Sequence, residues 1–114
     1  ATLMEMVFND RLITDAVVER QYQIGRIAGT ARVMTSTARQ VEGVKRYAGA
    51  LATLGKPTLI IWGEQDEVFP VAVGKQIHAS IKGSELLVIT GSGHMPMWER
   101  PDETNQAILE FMGR

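Results

Sequence analysis

The sequence predicts an α/β fold built on two parallel strands with flanking helices, and three observations predict it. Thr-Leu-Ile-Ile-Trp at 58–62 is an unbroken bulky run between Pro57 and Gly63. That is the pattern of a strand covered on both faces, not the alternation of a sheet with one face in water. Glu85-Leu-Leu-Val-Ile-Thr90 repeats it ahead of a glycine-rich loop. Between the two runs Val73, Ile77 and Ile81 recur four apart, which marks one face of a helix, and a strand-helix-strand crossover makes its strands parallel.

Residues 1–54 read as helical, with no proline before Pro57. Leu3, Met4, Met6, Val7 and Phe8 form a short apolar turn or helix end without a recognisable cap, so the chain is expected to start in mid-element; Asn9-Asp10-Arg11 breaks it. Thr14 is an expected N-cap, with Asp15 in the first turn of a helix whose Val17, Ile24, Ile27 and Ala28 share a face. Gly29-Thr30 ends or kinks that helix, and the small polar residues 31–40 fit either a further helix or a loop. Val44, Tyr47, Ala48, Leu51 and Leu54 return to helical spacing before Gly55 provides a stop. Residues 55–114 then read β-α-β-α. Pro70 is expected at the first helical position of the crossover, and Gly83-Ser84 turns it into the second strand. The last helix opens near Pro101-Asp102-Glu103 and is expected to bury Ala107, Ile108, Phe111 and Met112.

Composition narrows the function. A formal net charge of −1 gives neither nucleic acid nor an anionic membrane a reason to bind. Without cysteine there is no disulfide framework and no thiol chemistry, and no apolar run exceeds strand length, so a cytoplasmic chain is expected. The two predicted strands cannot stand alone. Each is apolar on both faces, and a few hundred Å² left uncovered costs several kcal/mol at roughly 25 cal/mol per Å². The chain is therefore expected to self-associate, to pair with a second chain, or to be part of a larger protein.

Chemistry is expected where the strands end. Open α/β sheets bind ligands at the carboxyl edge, and parallel neighbours bring their carboxyl ends together. Asp66 follows the first strand and His94 the second, so the two side chains are expected to meet, and an Asp orienting a His is two thirds of a nucleophilic triad. The plainer alternatives are an acid capping the next helix and an exposed loop histidine. His78, inside the crossover helix, reads as a surface or interhelical residue, and Glu64 as a solvated acid. Gly91-Ser92-Gly93 is a poor phosphate cradle, since neither a helix start nor a lysine follows directly. The methionines suit an adaptable apolar lining or plain core filling.

Trp62-Gly63-Glu64-Gln65-Asp66 with Pro70 beyond it, then Gly93-His94-Met95-Pro96-Met97-Trp98-Glu99-Arg100-Pro101 and a helix ending Ile108-Leu109-Glu110-Phe111, resembles the C-terminal part of an α/β-hydrolase fold. It is most similar to the meta-cleavage-product hydrolases, which split carbon-carbon bonds in ring-opened aromatic catabolites. Phe8-Asn9-Asp10-Arg11-Leu12-Ile13-Thr14-Asp15 resembles the end of their helical cap domain. The resemblance implies that Asp66 is the triad acid and His94 the base, and that Trp98 and Val68 border the substrate pocket, where a plain core role is the alternative. It implies no metal and no organic cofactor. The family's nucleophile is a serine in G-x-S-x-G. None of Ser36, Ser80, Ser84 and Ser92 has glycine two before and two after it, so the chain alone is expected to be inactive. A non-catalytic dimerising module, or completion by a partner carrying the serine, are the alternatives.

Overall fold

The structure, a computed structural model, describes residues 3–41 and 48–114. In order these form α1 (Leu3–Met6), a 3₁₀ turn (Asp10–Leu12), α2 (Asp15–Arg26), α3 (Thr30–Val41), α4 (Ala48–Leu51), β1 (Leu59–Gly63), α5 (Val71–Ser80), β2 (Glu85–Ile89), α6 (Pro96–Glu99) and α7 (Pro101–Met112). Val44 and Tyr47, expected on a helix, lie outside the described residues.

β1 and β2 pair in parallel, Leu59 opposite Glu85 and Gly63 opposite Ile89, so both strands end at the same rim. α5 makes the crossover, with Pro70 at its N-cap rather than inside the first turn. Its apolar face ends on Ile81, 5% exposed, just past the helix. His78 is exposed and its Nδ1 lies 2.8 Å from the hydroxyl of buried Ser84, fastening the turn into β2. That is the structural place its sequence position implied.

Among the described residues Ile89, Val7, Ile60 and Ile81 form the buried hydrophobic core. The strands are less covered than their composition predicts: Leu86, Leu87 and Val88 are only half-buried, because each strand has a single neighbour.

The helices depart from expectation in three ways. α2 starts as read, with the Thr14 hydroxyl accepting from the Val17 amide, but it ends at Arg26. Ile27 and Ala28 therefore lie beyond the helix, and Ile24 and Ile27 remain exposed. Residues 31–40 are helical, continuous with Thr30 after the left-handed Gly29. α7 buries Thr104 and half-buries Ala107 and Phe111, one stripe at helical spacing. Ile108 and Met112 fall one step round that stripe and are exposed, the latter by 76%. The single turn α6 was not anticipated. It begins on Pro96, and the buried Thr104 hydroxyl donates to the Pro96 carbonyl at 3.0 Å, locking α6 to α7.

Candidate active site

The rim is shaped first by backbone approach. After β1 the Glu64 amide donates to the Ile89 carbonyl and the Gln65 amide to that of Ser92, continuing the pairing past the strands. Gly63 sits where a Cβ would overlap the Ser92 and Gly93 carbonyl oxygens, so the two loops touch only because this position has no side chain.

Asp66 lies in the turn after β1, with its side chain only 4% exposed. One oxygen, Oδ1, accepts from the amides of Val68 and Phe69, both at 2.9 Å. Its other oxygen, Oδ2, is 2.9 Å from His94 Nδ1. The capping role and the histidine contact thus coexist, one on each oxygen. An ionised carboxylate only accepts hydrogen bonds, so the contact places a proton on Nδ1, and in the neutral imidazole the free lone pair is then on Nε2. The Phe69 ring lies over the imidazole, centroids 5.6 Å apart and tilted by 52°. Its own carbonyl accepts from Trp62 Nε1 at 2.9 Å. An imidazole held in this tautomer takes a proton at Nε2, and the carboxylate behind it stabilises the resulting cation.

The histidine loop has its own frame, which the sequence did not reveal. Gln65 Oε1 accepts from the amides of Gly91 (2.7 Å) and Ser92 (3.2 Å). Glu99 Oε1 accepts from Gly93 at 2.7 Å, and the His94 amide donates to the Met6 carbonyl at 2.8 Å. Every amide from 91 to 94 is thereby engaged, which leaves none for a phosphate cradle. Side-chain acceptors for backbone amides leave no trace in hydrophobic periodicity; only the loop's glycine content hinted that something approaches it closely. Glu64 is exposed, as expected.

Beside the rim, α1, α2, α3 and α6 enclose a cleft of about 490 Å³ lined by Met6, Val17, Arg20, Ile24, Met95 and Trp98 among others. Trp98 thus faces the cleft. Val68 is half-buried on the Asp66 side and is not in its wall. Met6, Met34 and Met95 line the cleft and no methionine is in the buried core, so the lining account describes them better than core filling does. His94 is next to the cleft in the chain, through Met95, without lining it.

Comparison with known proteins agrees with this architecture. Residues 9–101 match the family model of the alpha/beta hydrolase fold. The chain is 31% identical over 110 residues to the 2-hydroxy-6-oxononadienedioate/2-hydroxy-6-oxononatrienedioate hydrolase of Klebsiella pneumoniae, covering 95% of this chain and 38% of that protein. It is also 31% identical over 113 residues to the uncharacterized hydrolase YugF of Bacillus subtilis, covering 96% of this chain and 40% of that one. Among solved structures, the meta-cleavage product hydrolase CumD of Pseudomonas fluorescens IP01 superposes with a TM-score of 0.83 at 24% identity, over 97% of this chain and 43% of CumD. The sequence therefore spans about two fifths of the length of these relatives. No helix among the described residues is long and apolar enough to cross a membrane. On the strength of the family match and the relatives at this identity, the chain belongs to the α/β-hydrolase fold family.

Proposed function

We propose that this chain supplies the acid and the base of a serine-type α/β-hydrolase. The observation that carries the reading is the 2.9 Å contact between Asp66 and His94 at the ends of two parallel strands. In the proposed reaction His94 Nε2 accepts the proton of a serine hydroxyl or of water as it attacks the substrate, and returns it to the leaving group. Asp66 keeps the imidazole in the working tautomer and stabilises its charged form. The substrate proposed is a ring-opened dienoic acid cut at a carbon-carbon bond, in keeping with the dienedioate hydrolase relatives, and an ester is the second reading. Trp98, and more remotely Val68, would border that substrate. The serine is proposed to come from polypeptide outside residues 1–114, in the same reading frame or on a partner.

The test supplies a segment carrying a G-x-S-x-G serine, fused or as a second chain, and assays a ring-opened dienoic acid beside an activated ester. Carbon-carbon cleavage that disappears in His94→Ala supports the reading. Ester turnover alone moves the assignment to the second reading, and turnover indifferent to His94→Ala overturns both. Residues 1–114 on their own are expected to turn over neither substrate above the His94→Ala background.

A non-catalytic, self-associating module is the alternative, since the open surface that further polypeptide would cover can equally be covered by a second copy. The chain exposes 8609 Å², whereas a folded monomer of its mass exposes about 6,200 Å². Light scattering separates this alternative: a monomer that gains hydrolysis when the serine is supplied excludes it.

A further inference from the structure

Asp66 is anchored by its own turn, through the amides of Val68 and Phe69. His94 has no comparable local anchor, and its backbone is held from elsewhere. We infer that Glu99 is a positioning residue for His94, acting through the backbone by fastening the histidine loop to residues 6–9. This inference rests on the reading of His94 as the base.

Three observations carry it. Glu99 divides its oxygens between two distant segments: Oε1 accepts from Gly93 at 2.7 Å, and Oε2 from Phe8 at 2.7 Å and Asn9 at 3.2 Å. Gly93 immediately precedes His94, whose own amide donates to Met6 at 2.8 Å, so the two segments are joined at the two consecutive amides that lead into the base. The packing there leaves no room, because a Cβ on Gly93 would stand 2.9 Å from the Phe8 nitrogen and 3.1 Å from the Met6 oxygen. Both carboxylate oxygens are needed. Glutamine keeps one acceptor and turns an amino group toward N–H donors, and aspartate is a methylene too short to span the two segments.

Glu99 also lies in α6, directly after Trp98, and Met6 and Trp98 both line the cleft. The carboxylate thus sets the His94 loop against the same segment that forms part of the cleft wall. A shift of residues 6–9 would reach the base through the Glu99 carboxylate as well as through the backbone bond from His94 to Met6.

The test uses nuclear magnetic resonance on the whole chain, with two readouts. One is the His94 Nδ1 proton bonded to Asp66; the other is amide exchange at Phe8, Asn9 and Gly93, with Glu85, whose amide donates to Thr58 across the strands, as internal reference. Glu99→Ala is expected to broaden or abolish the imidazole proton and speed exchange at the three amides by about tenfold or more, leaving Glu85 unchanged. Glu99→Gln is expected to release one segment only. The inference is overturned if Glu99→Ala leaves the imidazole proton and the Gly93 exchange as they were. It is equally overturned if both variants lose protection at Glu85 along with the rest, since Glu99 then acts on the fold at large. A wild-type chain with no bonded imidazole proton defeats the reading of the site itself, and the positioning role with it. Only the first two results defeat the positioning role alone.

Discussion

Each carboxylate oxygen of Asp66 has a separate task, so substitutions there separate chemistry from stability. In Asp66→Asn one oxygen still serves Val68 and Phe69, while the new amino group faces His94 Nδ1 and forces the proton to the other nitrogen. We expect the serine-completed enzyme to lose roughly 10⁴ in kcat, with little change in the urea midpoint of the chain. Asp66→Ala removes the acceptor of two part-buried turn amides, and should cost about 1 kcal/mol in urea unfolding. Gly63→Ala puts a methyl into the carbonyls of Ser92 and Gly93. The expected loss is about 1–3 kcal/mol, more if the loops cannot part, again read from the urea midpoint. Asp66 and His94 were legible because strand, turn and polar residue follow one another in the sequence. Gln65 and Glu99 were not, because their partners are amides, which every residue has and no composition reports.

Among the elements, the strands and the crossover were legible within a residue or so, since long apolar runs flanked by glycine and proline have few other uses. α3 was ambiguous because Thr35, Ser36 and Thr37, residues of modest helix propensity, stand in the middle of the stretch. α6 is a single turn and too short for any periodicity. For α7 the sequence identified the helix and two members of its inward stripe, Ala107 and Phe111, but Thr104, a polar residue, completes that stripe in place of Ile108 and Met112. Thr104→Val keeps the shape and removes the hydroxyl bonded to the Pro96 carbonyl. It should cost about 1 kcal/mol in thermal or urea unfolding. At the other end of the chain, Thr14→Ala removes the N-cap of α2, and helix content by circular dichroism should fall for a loss of about 0.5–1 kcal/mol.

At the scale of the molecule the fold is open. The radius of gyration is 16.1 Å, against about 13 Å for a compact domain of this length, and the surplus surface of about 2,400 Å² is of the order buried in permanent interfaces. Composition announced this, since two strands apolar on both faces need cover that two strands do not provide. Ion pairing does little to compensate. Arg114 contacts Glu85 at 2.6 Å with both side chains largely exposed, so Arg114→Ala should move the melting temperature hardly at all, a change of about 0–1 kcal/mol. The hydrogen bonds from residues 6–9 to the histidine loop reach across that open shape. An expression boundary drawn at residue 55, where the alternating strands and helices begin, would keep both side chains of the Asp66–His94 contact and remove the segment bonded behind the second of them. A polypeptide trimmed there should lose the order of its imidazole, read from the Nδ1 proton, so any boundary chosen to study the Asp66–His94 contact has to include the opening turn of the chain.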